Sequence, residues 1–251
     1  MLTQERKAHL LKTLSRDGRL VAKDVSLELG VSEDTIRRDL RDLAGEGLLL
    51  RVHGGALPAS PAVADLATRR DLSPEDKSAI GRTAARMVKP GQVVFLDGGT
   101  TALQVVRHLD PGLRATFVTH SPSVAVALAA HPGIEVDVIG GRLFRHSMVA
   151  IGCAAADAIA RVHADLYFMG VTGIHPEFGL TTGDAEEAAI KRALSRQAGE
   201  TVVLASREKL GTVSHFRVGM WTDVDVLVLE SGLPEETIRP YRMDALTLTF
   251  A

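Results

Sequence analysis

Apolar residues recur with two different spacings along the chain, and the spacing changes near Leu57. Up to residue 56 they follow helical spacing, whereas later apolar runs of four to six residues alternate with helical stretches of ten or more. The segment Pro58–Ala62, with two prolines among small residues, predicts a linker. We therefore expect an amino-terminal domain at 1–57, a linker at 58–73 and a carboxy-terminal domain at 74–251.

The amino-terminal pattern predicts three helices and a hairpin. Apolar positions mark the first two helices: Leu10, Leu11 and Leu14, then Val21, Val25, Leu27 and Leu29. Ser32 is a typical N-cap for the third helix, whose buried stripe falls at i, i+4 and i+7: Ile36, Leu40 and Leu43. A strand over 48–52 and a tip at 53–55 follow. This order predicts a winged helix-turn-helix.

The polar face of the third helix predicts DNA binding. At about 100° per residue, four charged residues lie opposite the apolar stripe: Asp34, Arg37, Arg38 and Arg41. Exposed cations on such a helix meet phosphates and guanine edges. Arg51 and His53 on the hairpin can reach a phosphate or the minor groove.

Charge leaves a second interpretation of those arginines open. The 251 residues contain 29 Lys and Arg against 31 Asp and Glu, and residues 1–56 contain ten against nine, so basic character must be local if the protein binds DNA. The alternative is a solvated face on which Asp34, Asp39 and Asp42 balance the arginines.

Composition narrows the class of protein. An apolar content of 45% and a charged content of 24% are typical of a soluble globular chain. The single Cys153, interpreted as a small core residue, excludes a disulfide framework and a multi-cysteine zinc site, and we predict no metal and no cofactor. Because no apolar signal region or membrane-length run is present, we expect a cytoplasmic protein with no membrane partner.

The carboxy-terminal pattern predicts a mostly parallel α/β sheet. A helix should begin at Ser73-Pro74 and end near Val88, where an N-cap and a first-position proline precede acidic residues. Apolar runs predict strands at 93–96, 115–119, 135–139, 166–169, 201–205, 224–229 and 246–250. Helical patterns separate several of them, at 101–109, 123–130, 152–161 and 185–198. Repeated strand-helix-strand units imply right-handed parallel crossovers.

The run Asp97-Gly98-Gly99-Thr100-Thr101 predicts an anion site. It joins a strand to a helix, so backbone amides and two hydroxyls meet at the helix start. The glycine fingerprints of dinucleotide sites and nucleotide P-loops are absent, which favours a small phosphorylated ligand. The alternative is a turn that only connects strand to helix.

Other polar loops follow predicted strands and should converge on the same crevice. Their candidate ligand-binding residues are His120 and Ser121, Gly141 and Arg142, Gly170 and Gly173, and Lys209. His120 can hydrogen-bond a sugar hydroxyl or a phosphate, and Arg142 and Lys209 can offset phosphate charge. Singly, each cation is better explained as a surface residue, but their shared placement after strands favours a ligand site. Glu187 and Lys191 have the i,i+4 spacing of a plain helix-stabilising pair.

The amino-terminal motifs resemble the signature of the DeoR/GlpR family of bacterial transcriptional regulators. The resemblance rests on residues 31–40, with the run TIRRDL, and on residues 47–56, which end in HGGA. It implies a winged helix that binds double-stranded operator DNA, usually as a repressor. It further implies a DNA side formed by Ser32, Thr35, Arg37 and Arg38, with Arg51 and His53 on the wing.

The carboxy-terminal half resembles the effector-sensing domain of the same family, which is similar in fold to ribose-5-phosphate isomerase. The matching pieces lie at 97–101, 118–121, 140–141, 165–173, 179–182, 187–192 and Lys209. The resemblance implies a phosphorylated sugar or polyol as effector and places Lys191 near the crevice. Two residues depart from the family pattern: His120 stands for the usual Asn and Ser206 for the usual Asp.

Two functions follow from these motifs. The first is a ligand-responsive repressor that works as a homodimer or homotetramer, because two-fold operators need two readers. The second is a sugar-phosphate isomerase or transferase fused to a DNA-binding module. Isomerase chemistry needs a positioned carboxylate base, and the loop Gly170–Gly173 contains no acidic residue, which disfavours an enzyme.

Overall fold

Three helices and a small sheet form the amino-terminal domain of the computed structural model, which describes residues 2–251. Its elements are α1 (Thr3–Asp17), β1 (Leu20–Val21), α2 (Ala22–Leu29), α3 (Glu33–Gly45), β2 (Leu49–Val52) and β3 (Gly55–Pro58). The predicted stripe of α3 packs against Leu10 and Leu14 of α1 in one apolar cluster. The second helix differs from the prediction, because Val21 belongs to β1 and Leu27 is 73% exposed.

The wing is a three-stranded sheet in the order β1-β3-β2. Strands β2 and β3 pair antiparallel around the turn at His53 and Gly54, as the hairpin prediction requires. Gly55 is needed where β3 meets β1, because a Cβ there would lie 1.7 Å from the carbonyl oxygen of Leu20. The two-residue β1 was not predicted, since it is too short to give an alternating pattern.

Residues 58–73, which we call the strap, connect the wing to the carboxy-terminal domain. The strap contains a short 3-10 turn at Pro61–Val63 and the helix α4 (Leu66–Arg70). The Ser60 amide donates to the Val213 carbonyl at 3.1 Å, and the Val213 amide donates to the Pro58 carbonyl at 3.0 Å. The strap is therefore packed on the carboxy-terminal domain along its course.

A seven-stranded sheet organises the carboxy-terminal domain, in the order β15-β14-β12-β9-β4-β5-β6, with every neighbouring pair parallel. The helices and sheet strands are, in chain order, α5 (Pro74–Ala85), β4 (Val93–Leu96), α6 (Thr100–Arg107), β5 (Ala115–Thr119), α7 (Pro122–Leu128), β6 (Ile134–Val138), β7 (Arg142–Phe144), β8 (Val149–Ile151), α8 (Cys153–Ile159), β9 (Ala164–Gly170), β10 (Gly173–His175), β11 (Gly179–Thr182), α9 (Ala185–Arg196), β12 (Ala198–Leu204), β13 (Phe216–Gly219), β14 (Val226–Leu229), α10 (Glu235–Ile238) and β15 (Thr247–Phe250). The α/β prediction and all seven predicted strands are confirmed.

The large sheet is buried on both faces, which explains its continuous apolar strands. Val94 and Leu96 of β4 face one apolar cluster, while Phe95 between them faces the other. Helices α5, α6 and α7 contribute to the first cluster, and α8 and α9 to the second. Among residues 2–251 no helix is long and apolar enough to cross a membrane.

Two smaller antiparallel units were not predicted: the hairpin β7–β8 and the sheet β10-β11-β13. Their strands of three or four residues are too short for a periodicity signal. Consequently Arg142 and Gly173, predicted in loops, begin strands β7 and β10. Cys153 is exposed at the start of α8, so its interpretation as a core residue was wrong.

Candidate functional site

A cleft lies where β4, β9 and β12 end. This is the edge at which parallel sheets bind ligands. The loops after these strands form part of its wall, and the strap, α5, α6, the β7–β8 turn, the end of β11 and α9 form the rest. Its polar and charged lining residues are Arg69, Lys77, Thr100, Thr101, Ser147, Thr172, Thr182, Glu187, Lys191, Glu208 and Lys209.

Asp97, the residue after β4, is fully buried and has both carboxylate oxygens engaged. One oxygen accepts from the Gly98 amide at 2.7 Å and lies 2.9 Å from His120 Nε2. The other accepts from the Gly170 amide at 2.9 Å and from Lys191 Nζ at 2.5 Å. Burial alone would raise the pKa of Asp97, but Lys191 and His120 outweigh it and hold that pKa well below its usual value. Asp97 is therefore an anionic anchor for the loops around the cleft.

Lys191 and Glu187 form a buried pair, not the exposed helix pair of the plain interpretation. They face the sheet from α9 and are 3% and 5% exposed, with 3.3 Å between Lys191 Nζ and Glu187 Oε1. Burial lowers the pKa of Lys191, but the nearby carboxylates of Asp97 and Glu187 outweigh it and leave that pKa raised. The other oxygen of Glu187 accepts from the hydroxyls of Ser147 and Thr182, at 3.3 and 3.1 Å.

The start of α6 offers unpaired backbone donors to the cleft. The first α-helical hydrogen bond runs from the Leu103 amide to the Gly99 carbonyl at 3.2 Å, so the amides before Leu103 have no acceptor within the helix. Gly99 has a φ of 115°, a backbone conformation that favours glycine. At Gly98 a Cβ would lie 2.3 Å from Val149 Cγ1, so the loop can pass only without a side chain. Such a helix start suits an anion.

Two lysines that line the cleft, Lys77 and Lys209, are buried with incomplete charge compensation. Burial lowers the pKa of Lys209 to about 8; Glu208 opposes that shift, and the nearby cations Lys77, Arg69 and Lys191 add to it. Burial also lowers the pKa of Lys77, which Glu208 partly restores. Since burial and nearby cations disfavour the charged forms of Lys77 and Lys209, an anion in the cleft would stabilise both charges.

The predicted ligand-binding residues divide into three groups. Those that line the cleft are Gly99, Thr100, Thr101, Gly170, Lys191 and Lys209. Those that lie buried beneath its floor are Asp97, His120 and Ser121. Those that the structure places outside it are Gly141, Arg142 and Gly173.

The expected convergence of all strand-end loops was wrong at three places. Gly141 packs against Ile151 and Ala155, and Gly173 packs against the Thr212 carbonyl. Arg142 is exposed on β7, where its guanidinium pairs with Glu186, so it adds no positive charge to the cleft.

His120 also departs from the expectation of a ligand-facing imidazole. It is 0% exposed, and its Nδ1 and Nε2 lie 2.9 Å from the Ala150 carbonyl and from Asp97 Oδ1. The ring thus ties β8 to the anchor carboxylate from below the floor. Ser206, the second departure from the family pattern, is also buried, and its hydroxyl donates to Glu208 at 2.6 Å.

Sequence reasoning missed several residues of the cleft. The cations Arg69 and Lys77 were missed because one lies in the predicted linker and the other on an ordinary helix. Ser147 was missed because it lies in the turn of the unpredicted β7–β8 hairpin. Glu208 was also missed, and only its position beside Lys209 gave a signal.

The face formed by α3 and the wing carries the predicted DNA-binding residues. Ser32 caps α3 by accepting from the Thr35 amide at 3.2 Å. Arg37, Arg51 and His53 line one groove between α3 and the hairpin. Arg38 and Arg41 are exposed on the same helix.

Two acidic residues of α3 pair with cations of α1 and not with the exposed arginines of α3. Asp39 is 2% exposed and binds Arg6 of α1, and Asp42 pairs with Lys7 of α1 at 3.0 Å. The alternative in which Asp39 balances an exposed arginine face was therefore wrong. Arg37 pairs with Glu33 at 2.8 Å, whereas across residues 2–251 no carboxylate lies within 4.0 Å of Arg38, Arg41 or Arg51.

Two family models match the chain. The model described as DeoR-like helix-turn-helix domain matches residues 6–62, and the model described as DeoR C terminal sensor domain matches residues 72–231. The chain is 34% identical over 240 residues to the HTH-type transcriptional regulator GlpR of Haloferax volcanii, covering 94% of this chain and 93% of that protein. It is 28% identical over 235 residues to the glycerol-3-phosphate regulon repressor of Escherichia coli, covering 93% of each.

A solved structure, ribose 5-phosphate isomerase A from Methanocaldococcus jannaschii, is similar over 57% of this chain and 54% of its own, with 18% identity and a TM-score of 0.40. The matches to the two family models span both domains, and the relatives match nearly the whole length. The chain belongs to the DeoR family and is a DNA-binding transcriptional regulator with a sensor domain.

Proposed function

We propose that the protein is a repressor whose binding to operator DNA is controlled by a phosphorylated sugar or polyol in the cleft. The observation that carries this proposal is the set of cations gathered around the open start of α6. Arg69, Lys77, Lys191 and Lys209 all line the cleft, against the carboxylates Glu187 and Glu208. The name of the glycerol-3-phosphate regulon repressor, a relative of this chain, associates that protein with a phosphorylated polyol and with repression.

The lining offers separate partners for the two halves of such a ligand. The phosphate is held by the α6 amides, by Thr100 and Thr101, and by Lys209. The hydroxyls of the sugar or polyol are held by Thr172, Thr182 and Glu187 on the opposite wall. Gly99, Gly170 and Lys191 also line the cleft, and Asp97, His120 and Ser121 support it from below.

The DNA-binding side consists of the N-terminal half of α3 together with the wing. Its residues are Ser32, Thr35, Arg37, Arg38, Arg41, Arg51 and His53. A homodimer or homotetramer supplies two such faces to a two-fold operator. Effector binding changes the separation or orientation of the faces, and DNA binding must then weaken effector binding by the same factor.

A sugar-phosphate isomerase uses a similar ligand but needs a carboxylate free to take a proton. Glu187 accepts from two hydroxyls and pairs with Lys191, so both of its oxygens are engaged. Glu208 accepts from Ser73 at 3.1 Å through one oxygen and from Ser206 at 2.6 Å through the other. This engagement supports a binding cleft without turnover.

The test combines a thermal-shift screen with DNA titration. Phosphorylated sugars and polyols are compared with the same compounds lacking phosphate, because a ligand at 100 times its Kd stabilises the folded state by about 2.7 kcal/mol. We expect a phosphorylated compound to raise Tm and to weaken binding to a promoter fragment. Stabilisation by no phosphorylated compound, or turnover of one that is lost in Lys209→Met, would contradict the proposal.

A further inference from the structure

The strap runs without interruption from the wing into the cleft. Strand β3, the middle strand of the wing, ends at Pro58, and the strap then pairs with Val213 through the main chain of Ser60. The Ser60 hydroxyl donates to the Thr172 carbonyl, and Thr172 itself lines the cleft. Further along, Ala62 and Arg69 of the strap are also lining residues. Only ten residues separate Pro58 from Arg69 in the sequence.

The guanidinium of Arg69 is partly buried and has only weak hydrogen-bond partners. Its Nε donates to the Asp65 carbonyl at 3.4 Å and its Nη2 to the Ser147 hydroxyl at 3.5 Å, both near the limit of a hydrogen bond. Within residues 2–251 no carboxylate lies within 4.0 Å of it. Burial lowers its pKa, and the more distant Glu187 and Asp97 offset this only in part. A partly buried cation with weak partners is poised to bind an anion.

The end of α4 is fastened to the wall of the cleft by a second cation. Lys77 is 3% exposed, and its Nζ donates to the Arg69 carbonyl at 2.7 Å and to the Leu72 carbonyl. The same Nζ lies 3.9 Å from Glu208 Oε1, and Glu208 also lines the cleft. The start of the helix is held by a different element, since the Leu66 amide donates to the His146 carbonyl in the β7–β8 turn at 3.1 Å. The strap helix therefore lies between two walls of the cleft.

We propose that Arg69 binds the phosphate of the effector directly, so that occupancy of the cleft fixes the strap and through it the middle strand of the wing. The strap thereby acts as the transmitting element between the sensor domain and the DNA-binding face. This inference rests on the proposed function and adds the residue and the segment through which ligand binding reaches DNA. A ligand can shift the strap from one arrangement to another only to the extent that it binds the two arrangements with different affinities.

The test uses the full chain with inorganic phosphate as the probe, titrated against sodium chloride of equal ionic strength. The variants are Arg69→Ala and, as the matched control, Arg70→Ala, because Arg70 is the exposed neighbour on the same helix. Two quantities are measured: the Kd from the rise in Tm, and the rate of amide hydrogen exchange in residues 55–73. Two further variants are included in case Arg69→Ala does not fold. Arg69→Gln retains polarity and much of the side-chain length, and Arg69→Lys retains the charge.

We expect phosphate to stabilise the wild-type protein and Arg70→Ala equally and to slow exchange in the strap and in β3 of both. Arg69→Ala and Arg69→Gln should bind phosphate about 10-fold more weakly or worse, the value of a charge-assisted hydrogen bond, with no slowing in the strap. Arg69→Lys should recover part of the affinity.

The outcomes separate the two proposals. If Arg69 variants bind phosphate as tightly as Arg70→Ala, or if wild-type exchange in the strap is unchanged at saturation, the cleft remains an anion site and the role of Arg69 is overturned. If phosphate raises the Tm of the wild-type protein no more than chloride of equal ionic strength does, phosphate does not bind in the cleft. The proposed function then fails together with this inference.

Discussion

The two domains present cations to phosphate in opposite ways. On α3 and the wing, Arg38, Arg41 and Arg51 are exposed and have no carboxylate within 4.0 Å among the described residues. In the cleft, Lys191 and Lys209 are 3% and 6% exposed and are surrounded by other charges. The first set is free and hydrated, whereas the second is fixed before any ligand arrives.

The exposed cations suit the phosphates of a DNA duplex, and the buried cations suit the single phosphate of a small metabolite. A duplex offers a long row of charges and releases counterions as cations approach, so exposed arginines gain affinity without prior ordering and lose it as salt rises. A small metabolite offers one dianion, and only a desolvated, preorganised set of donors can bind it strongly. The lowered pKa values of Lys77 and Lys209 are the cost of that preorganisation, and substitutions in the two sets of cations test this view.

The largest expected effect is on stability, from Lys191→Met. The substitution leaves the buried carboxylate of Asp97 without its cation at 2.5 Å. Removing one partner of a buried pair costs about 3–5 kcal/mol. We expect the free energy of unfolding from urea titration to fall by that amount, with loss of phosphate binding.

Arg142→Ala is the matched control, because its pair with Glu186 is solvent-exposed. An exposed ion pair contributes about 0–1 kcal/mol. Equal losses of unfolding free energy in the two variants would show that the buried pair in the cleft contributes no more to stability than an exposed pair.

Lys209→Met should change stability in the other direction. The pKa of Lys209 is about 8 in the folded protein against an ordinary value of 10.5, so below pH 8 the folded state carries a buried charge at a cost of about 3 kcal/mol. Between these values the unfolded chain holds the proton that the folded protein has lost, so the stability of the wild type should rise with pH. At pH 7 the methionine variant should therefore be more stable than the wild type.

The measurement is the difference in unfolding free energy between wild type and Lys209→Met from pH 7 to pH 10. It should shrink as the pH rises, because the wild type loses its penalty there. A constant difference over this range would mean that burial in the folded protein does not destabilise the charged form of Lys209. Phosphate binding should at the same time become weaker at high pH in the wild type, since the neutral amine no longer attracts the anion.

Arg38→Ala tests the exposed set. We expect DNA binding to weaken by about 1–3 kcal/mol if the guanidinium contacts a base, or the salt slope of binding to fall by about one if it contacts a phosphate. Arg16→Ala is the control, because that arginine lies on α1 and is bound bidentately by Asp17 at 2.6 and 2.8 Å. Fluorescence anisotropy with a promoter duplex at several salt concentrations measures both, and unchanged affinity and slope in Arg38→Ala would remove it from the interface.

The sequence predicted the fold wherever an element was long enough to carry a periodic pattern. The strands at 93–96 and 115–119 have the predicted bounds, and the stripe of α3 is buried as expected. Among the strands that were missed, β1 has two residues, and β7, β8, β10, β11 and β13 have three or four each. Such strands are stabilised by pairing with distant segments, and that pairing leaves no local pattern.

Apart from Lys191 of α9, which the family resemblance placed near the crevice, the cleft could be predicted only where its residues follow strands of the large sheet. Thr100, Gly170 and Lys209 lie at those ends and line the cleft. Arg69 is contributed by the strap, and Ser147 by the turn of a hairpin that was not predicted, so their positions depend on tertiary packing. Arg142 was misplaced for the same reason, because the loop after β6 continues into that hairpin and away from the other strand ends.

The smallest expected effect comes from Thr100→Val, which alters one hydroxyl at the start of α6. That hydroxyl lines the cleft, and Thr100 is only partly exposed, so the isosteric change should leave folding and DNA affinity intact. Loss of one hydrogen bond to a bound phosphate should weaken binding by about 1–2 kcal/mol, or roughly tenfold. Thr247→Val, at an exposed position of the edge strand β15, is the control for the chemical change itself. If Thr100→Val binds phosphate as tightly as this control, the anion does not lie at the start of α6, and the preorganised set must then consist of the lysines and Arg69 alone.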